Sequence, residues 1–204
     1  MKSHSQHGED LAINALLKSG DFEPYVVDVG ANDGYSWSNS YAFIQQGFAA
    51  LLIEPMQQYA DYCRIRHHGN PKVFVEQVAI LPTPGKTKFF INNDKEHDLL
   101  AMGSSVRRDK IYSNDVSEVE VLSCPLTFLL DKYRVPKNYA ILSVDVEGVD
   151  LEVLECSGLH EYRPAIICVE YGITNETHIH QFLSKRDYRL HQVAGPNGIY
   201  VKSA

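Results

Sequence analysis

The stretch YVVDVGANDG at residues 25–34 constrains the fold of this chain more than any other part of its sequence. It begins as a short, mostly apolar β-rich run, which is typical of a strand buried on both faces of a parallel sheet. Gly30 and Gly34 follow at once, and glycine there allows a tight turn and a close approach of the backbone to a ligand. We therefore predict an open α/β sheet with a ligand site after its first strand.

The rest of the chain alternates strand patterns with helix patterns. Predicted strands cover residues 25–29, 49–53, 73–80, 140–144 and 165–169, and predicted helices cover residues 11–17, 36–47, 57–68, 126–133, 150–156 and 178–185. Asp10 is the expected cap of the first helix, and Trp37 is an expected buried residue of the second. Residues 188–193 and 199–202 predict a closing hairpin around GPNG. This order predicts a doubly wound, mostly parallel sheet with an antiparallel edge.

Residues 81–125 interrupt this alternation. They contain the turn and alternating strand PTPGKTKFF, a polar stretch at 92–98 and a second alternating run, VEVLS, at 119–123. We predict an inserted hairpin with a mobile loop before the fourth strand, because α/β folds place such insertions at the rim of the active site. Whether residues 92–115 form a lid or are disordered stays open.

Composition limits the function classes. The 204 residues suit a single domain at 1–204, in which residues 1–24 form an N-terminal segment and helix. The net charge of −7 argues against nucleic acid or an anionic membrane as a partner. No apolar run has the length of a membrane span, the N-terminus does not resemble a signal peptide, and the cysteine spacings match no disulfide framework or zinc site. We expect a cytoplasmic protein with a small-molecule or glycan substrate. The oligomeric state stays open, a homodimer included.

Acidic residues flank the glycine turn, which reads Gly30-Ala31-Asn32-Asp33-Gly34 and follows Asp28. The turn lacks the GxGxxG fingerprint of dinucleotide-binding proteins. Carboxylates at this place would repel a pyrophosphate but attract an ammonium or a sulfonium group. The charges therefore favour S-adenosylmethionine over NAD, although the glycine turn alone leaves both cofactors open.

Further carboxylates follow the other predicted strands. Glu54-Pro55 closes the second strand, where an acid can accept hydrogen bonds from both hydroxyls of a ribose. Asp145 and Glu147 follow the fourth strand, and Glu170 ends the fifth. Because these strand ends meet at one edge of the sheet, we expect the acids to line one cleft and to act there as a general base or as metal ligands.

Taken together, several segments identify a family. The chain resembles the FkbM-type S-adenosylmethionine-dependent methyltransferases in SQHGED at 5–10, VVDVGANDGYSWSNS at 26–40, LLIEP at 51–55, VAI at 78–80, SVDVEGVDLEVL at 143–154 and ICVEY at 167–171. The resemblance implies a class I methyltransferase fold, which is Rossmann-like and has seven strands. It also implies methyl transfer to a hydroxyl group, often on a sugar or a polyketide-like metabolite.

The resemblance also assigns roles to residues. Its cofactor loop corresponds to Asp28, Gly30, Asn32 and Gly34, and its ribose acid corresponds to Glu54. Gln77 and Val78 occupy the end of the third strand, where this fold usually contacts adenine. The segment expected to fold over the cofactor contains Ser5, Gln6, Glu9 and Asp10. The insertion matches poorly except for residues 103–105, so substrate choice is expected to reside there.

For the chemistry, Asp145 is the first candidate for the general base, and Glu147 and Glu170 are the next. Related enzymes of this fold hold magnesium with acids after strands four and five. Asp145 and Glu170 occupy those places and would be the metal ligands, but Tyr171 stands where a second acid would be expected. Two other functions compete with methyl transfer, namely an NAD(P)-dependent oxidoreductase and a non-catalytic nucleoside-binding domain.

Overall fold

The computed structural model of the protein describes residues 2–17, 20–93, 103–111, 113–171 and 176–203. Its strands are β1 (Glu23–Val29), β2 (Ala49–Ile53), β3 (Val73–Glu76), β4 (Ala79–Ile80), β5 (Gly85–Asn92), β6 (Val116–Cys124), β7 (Tyr139–Val144), β8 (Ile166–Glu170), β9 (Tyr188–Ala194) and β10 (Asn197–Lys202). Its helices are α1 (Glu9–Leu16), α2 (Tyr41–Gln45), α3 (Gln57–Arg66), α4 (Leu126–Lys132), α5 (Asp150–Glu155) and α6 (Glu176–Ser184).

Seven strands form the central sheet in the order β3-β2-β1-β7-β8-β10-β9. The five strands from β3 to β8 run parallel, and β10 runs antiparallel to both of its neighbours. The predicted α/β class and the mostly parallel sheet are confirmed. Because β1 pairs with β2 on one side and with β7 on the other, the order of the chain reverses at β1, and open α/β sheets bind ligands at such a switch point.

The closing hairpin corrects one expectation. Its antiparallel strand does not lie at the edge of the sheet, because β10 is inserted between β8 and β9. Ile199 and Tyr200 of β10 are fully buried, whereas most side chains of β9 are at least partly exposed. The more apolar strand of the hairpin therefore takes the inner position, and the more polar strand forms the edge.

Helices cover both faces of the central sheet, and neighbouring side chains of β1 point into different cores. Val27 and Val29 pack in the same cluster as the apolar side chains of α4, α5 and α6. Val26 packs in the other cluster, with Ile13 of α1 and Phe43 of α2. This alternation follows from the two-residue period of a strand and explains why the strand is apolar almost throughout. Within the described residues, no helix combines the length and the apolar character that crossing a membrane requires.

A second sheet, in the order β4-β6-β5, lies in the segment for which an inserted hairpin is predicted. Strands β5 and β6 pair antiparallel along their lengths, and Phe90 of β5 also forms a bridge with Ser105. The predicted third strand, residues 73–80, is divided between the two sheets. Its first part ends at Glu76 beside β2, and Ala79–Ile80 pairs with β6. Residues 92–115 were expected to form either a lid or a disordered loop. Of these, residues 94–102 and 112 lie outside the described residues.

The helix predicted at 36–47 is reduced to α2, because side chains hold the preceding residues in turns. The Asp33 carboxylate accepts hydrogen bonds from the amides of Tyr35 and Ser36, and the Ser38 hydroxyl accepts one from the amide of Tyr41. Such contacts compete with the backbone bonds of a helix. Trp37 is therefore not a buried helix residue. It adopts a φ of +55° and its exposed fraction is 41%.

Asp10 is not the cap of the first helix. Gly8 precedes α1, and Asp10 lies within its first turn, fully buried. Its carboxylate accepts hydrogen bonds from the hydroxyls of Ser3 and Ser5 and from the amide of His4. The residue thus organises the segment before the helix, and a carboxylate in a first turn also interacts favourably with the helix dipole.

Leu142 lies in the centre of the sheet on β7 and is fully buried. Leu142→Ala should lower the free energy of unfolding by about 2–5 kcal/mol, because it removes a core side chain and leaves a cavity. Leu122→Ala is the matched control, since Leu122 on β6 is 59% exposed. Urea unfolding at equilibrium measures both, and equal losses in the two variants would contradict this description of the core.

Candidate active site

A cleft of about 960 Å³, open mouth included, lies at the carboxyl ends of β1, β2 and β7. The structure brings most of the predicted site residues together in its walls, namely Gln6, Asp28, Gly30, Ala31, Asn32, Glu54, Pro55, Asp145 and Glu147. The place agrees with the general rule for open α/β sheets.

The loops after β1 and β7 touch at Gly30. Its φ is +89°, and a Cβ on this residue would lie 1.8 Å from the carbonyl oxygen of Asp145. The amide of Asp145 in turn donates a hydrogen bond to the carbonyl oxygen of Val29 at 3.0 Å. Only glycine fits here, because both its backbone conformation and the space beside it exclude a side chain.

Glu54 is held rigidly at the end of β2. One carboxylate oxygen accepts a hydrogen bond from the amide of Asn32 at 3.0 Å, and the other accepts one from the amide of Met56 at 2.9 Å. Burial raises the pKa of Glu54 to about 7, although the two amide hydrogen bonds oppose this shift. Both oxygens keep lone pairs for further donors, so the group is suited to bind a ligand diol.

Asp28 lies in the wall beneath the cleft. Its carboxylate accepts a hydrogen bond of 2.5 Å from the Ser40 hydroxyl, and Ser143 also donates to it. Burial raises its pKa, and the two hydrogen bonds lower it in part. An ionised Asp28 would add negative charge to a site in which Glu54 is close enough to interact with it.

Asp145 and Glu170, the acids after β7 and β8, are joined by a hydrogen bond between their side chains. Burial raises the pKa of Asp145, and the charge of Glu170 raises it further. Burial also raises the pKa of Glu170, with Glu147 as the next cause. Two carboxyl groups that share a hydrogen bond do not both ionise readily, so burial and the neighbouring charge both disfavour ionisation of this pair.

Glu147 connects this pair to the inserted segment. It has a φ of +57°, and its carboxylate accepts a hydrogen bond of 2.8 Å from the amide of Gly103. Asp150 closes the same loop, because its two carboxylate oxygens accept hydrogen bonds from the amides of Val146 and Gly148. The loop after β7 is therefore ordered by its own acids.

The described residues do not fit the magnesium site that the sequence suggests. They contain no group of three or more His, Cys, Asp or Glu side chains arranged to hold a metal ion. Asp145 and Glu170 share a hydrogen bond instead of presenting separate oxygens. The Tyr171 hydroxyl is hydrogen-bonded to that of Tyr200. Because these side chains are engaged with one another, we derive no step through a metal.

Five predicted site residues do not line the cleft, namely Asp33, Gly34, Gln77, Val78 and Glu170. The Asp33 carboxylate faces its own turn and lies 3.7 Å from Arg66. Gly34 packs against Cys63, and Val78 belongs to the apolar core. Glu170 reaches the site only through Asp145. Val78 lines a smaller pocket that shares Gly30 and Pro55 with the cleft, and the contacts of Gln77 and Val78 with adenine stay predictions.

The cleft also contains residues that the sequence did not indicate. Asn197, in the GPNG turn, donates a hydrogen bond of 2.6 Å to the Glu9 carboxylate, and both residues are buried in the wall. Phe89 of β5 and Tyr59 of α3 also line it. Their sequence contexts are those of an ordinary turn, strand and helix, so no local pattern marks them. The lining does include Gln6 and Glu9 of the segment expected to fold over the cofactor.

Comparisons with known proteins agree with this architecture. A family model described as the methyltransferase FkbM domain matches residues 28–190. The structure of a methyltransferase from Geobacter sulfurreducens is similar over 97% of this chain and 78% of its own, with a TM-score of 0.51 and 14% identity. At that identity the likeness concerns the fold alone.

Two further structures resemble the chain less. A precorrin-6y C5,15-methyltransferase from Geobacter metallireducens has a TM-score of 0.46 and 11% identity, over 94% of this chain and 86% of its own. A SAM-dependent methyltransferase from Aquifex aeolicus has a TM-score of 0.46 and 13% identity, over 95% and 88%. No curated protein sequence matches the chain.

Gly30→Ala should destabilise the protein and abolish binding of S-adenosylhomocysteine, because the new Cβ would force the loops after β1 and β7 apart. Gly47→Ala is the matched control: Gly47 has a φ of +90°, but a Cβ there would meet no atom within 4 Å. The control should cost about 1–2 kcal/mol from backbone strain alone. Thermal unfolding and calorimetric titration measure both effects. Equal destabilisation with intact binding would contradict the close approach.

The raised pKa of Glu54 predicts a pH dependence of stability. The pKa of Glu54 is about 7 in the folded protein, whereas in the unfolded chain it has its ordinary value of 4.5. The contribution of this group is therefore greatest below the unfolded pKa, and stability is lost as the pH rises through the folded pKa. Between about pH 5 and pH 8, the cofactor-free wild type should lose on the order of 2 kcal/mol relative to Glu54→Gln. Urea unfolding across this range measures the difference, and a constant difference would refute the shift.

Proposed function

We propose that this chain, which belongs to the FkbM methyltransferase family, methylates a hydroxyl group of a sugar, a glycan or a small metabolite. Membership of the family makes it an S-adenosylmethionine-dependent methyltransferase, and this decides between the two cofactors that the glycine turn leaves open. The observation that carries the proposed acceptor chemistry is the hydrogen-bonded pair of Asp145 and Glu170 at the cleft.

The residues that line the cleft support a defined binding site for the cofactor. The Glu54 carboxylate, which two backbone amides hold in place, would accept hydrogen bonds from the two ribose hydroxyls. Gly30 allows the backbone to approach the ligand closely. The buried acids of the cleft, Asp28 among them, would stabilise the ammonium and sulfonium charges that they attract. When bound, the cofactor supplies a methyl group that is already activated for transfer.

Methyl transfer to an alcohol also requires a base. A free hydroxyl is a poor nucleophile, and its proton must be removed as the new carbon–oxygen bond forms. A cationic cofactor would favour the ionised form of the Asp145–Glu170 pair, and an ionised carboxylate of the pair can accept the hydroxyl proton. Asp145 lines the cleft and would receive the proton directly, while Glu170 positions it. Glu147 would hold the inserted segment against the acceptor.

The cysteines support the expected cytoplasmic location. All four of them, Cys63, Cys124, Cys156 and Cys168, are free thiols, and three of these are buried. Burial raises the pKa of each, which keeps them protonated and unreactive. Such thiols are typical of proteins in a reducing compartment.

Asp145→Asn should lower kcat by about 10²–10⁴ because it removes the base and retains the shape of the side chain. The affinity for S-adenosylhomocysteine should stay within about threefold, since Glu54 and the loop after β1 are unchanged. Glu155→Gln, an exposed acid on α5, is the matched control and should behave like the wild type. Wild-type turnover by Asp145→Asn would eliminate Asp145 as the base.

The acceptor class is tested with S-adenosylmethionine that carries a labelled methyl group. Methyl pyranosides, simple alcohols and amines are offered to the wild type after dialysis against EDTA, with and without added magnesium. We expect label in the hydroxyl compounds, at a rate that magnesium does not change, since the described residues supply no metal site. Label in the amines alone would contradict the proposed chemistry.

A further inference from the structure

Trp37 is the one tryptophan of the chain, and the chemistry derived so far does not use it. It lines the cleft together with Gln6, Ser36 and Ser38. It is nevertheless 41% exposed, so a substantial part of this residue stays accessible to solvent beside the cleft. Single exposed apolar side chains are common on protein surfaces, so the exposure of Trp37 does not by itself indicate a binding role.

The backbone of Trp37 supplies the second observation. Its φ of +55° is unfavourable for a bulky aromatic residue, and such conformations persist only where the surroundings impose them. Ser36, on one side, donates hydrogen bonds to Asp33 from its amide and its hydroxyl. On the other side the Ser38 hydroxyl accepts hydrogen bonds from two amides, and Trp37 itself bridges to Ser5. The fold thus holds an aromatic ring at the cleft mouth at a conformational cost.

The charge of the cleft supplies the third observation. Its walls contain five carboxylates, Glu9, Asp28, Glu54, Asp145 and Glu147, and among the described lining residues there is no lysine or arginine. A phosphorylated or carboxylated acceptor would find no cationic partner in this part of the wall, and its charge would further oppose ionisation of these acids. The hydroxyls of Ser36 and Ser38 and the amide of Gln6 instead suit an uncharged acceptor rich in hydroxyl groups.

We propose that Trp37 is the platform on which the acceptor ring stacks, and that the acceptor is an uncharged cyclic polyol such as a hexopyranoside. This inference rests on the proposed function and narrows its acceptor class. A pyranose ring presents C–H bonds on its flat faces and hydroxyls around its edge. The faces fit an exposed indole, and the edge fits a wall of serines, an amide and carboxylates. Fixing the ring before the acceptor binds reduces the entropy lost on binding.

The first experiment measures methyl transfer by the wild type to the methyl glycosides of glucose, galactose, mannose and rhamnose. Glucose 6-phosphate and glucosamine are the anionic and cationic comparisons. We expect transfer to at least one neutral glycoside and weaker transfer to glucose 6-phosphate, while glucosamine shows whether the acids of the wall select a cation instead. Preference for either charged sugar would overturn the uncharged acceptor, and transfer to none of the neutral glycosides would overturn the sugar acceptor class itself.

The second experiment compares variants on the glycoside that the wild type uses best. Trp37→Ala should raise KM by roughly five- to tenfold with kcat nearly unchanged, and Trp37→Phe should recover most of the loss. Trp37→Gly also removes the ring, and glycine adopts the left-handed backbone conformation of this position without strain. A similar rise in KM in this variant therefore cannot come from backbone strain. Phe128→Ala is the matched control, because Phe128 is 60% exposed on α4 and does not line the cleft.

The third measurement separates the acceptor from the cofactor. The affinity for S-adenosylhomocysteine should stay within about twofold in every Trp37 variant. Emission of the single tryptophan in the complex with S-adenosylhomocysteine should shift to the blue when the glycoside is added, because the ring becomes covered. Unchanged KM in Trp37→Ala and Trp37→Gly, or loss of cofactor affinity equal to the rise in KM, would overturn the role of Trp37. In either case the proposed function stays intact, provided that the wild type methylates a neutral glycoside.

Discussion

The contact between the backbone at Gly30 and the carbonyl oxygen of Asp145 determines the geometry of the whole cleft. It joins the loops after the two central parallel strands, at the place where the strand order reverses. Because β1 and β7 are paired along their lengths, their ends cannot move apart independently. The acids that follow each strand are therefore held within one small volume, and the paired strands of the sheet keep the site rigid.

Concentrating acids in this volume has an electrostatic cost. Burial raises the pKa of Asp28, Glu54, Asp145, Glu147, Asp150 and Glu170, so each of these groups is harder to ionise in the folded protein than in water. Backbone amides and serine hydroxyls offset part of the cost, and the hydrogen bond between Asp145 and Glu170 offsets more. A cationic cofactor would offset the remainder, since positive charge favours the ionised forms. A site that is unfavourable when empty is typical of residues retained for binding and chemistry.

The two ends of the chain meet at the cleft. Glu9, near the start, accepts a hydrogen bond from Asn197, which lies in the last hairpin. The ring of His7 occupies the space beside Gly195, where a Cβ would lie 2.2 Å from it. The N-terminal segment is thus fastened to β10 on one side and to Trp37 on the other, through Ser5. Its place over the site depends on tertiary contacts at both ends, so the segment and the cleft should be ordered together.

The elements with strong local signals could be predicted from the amino-acid sequence alone. The apolar strands, the glycine turn and the acids after Ile53 and Val144 could be predicted, because a buried parallel strand and the residues after it leave a pattern in consecutive positions. The same patterns, joined to the family motifs, were sufficient for the cofactor and the methyltransferase class. They failed where side chains compete with a helix, as at residues 36–40, and where a strand changes sheets after Glu76.

Which residues share the cleft depends on tertiary contacts and could not be predicted from local sequence patterns. Asn197 and Phe89 enter it from distant parts of the chain, and Asp33 leaves it because its carboxylate has closer partners in its own turn. The exposure of Trp37 likewise follows from hydrogen bonds on either side of it, and the hydrogen bond between Asp145 and Glu170 follows from the pairing of β7 with β8. Contacts of this kind depend on distances between residues that are remote in sequence, and no local pattern encodes such distances.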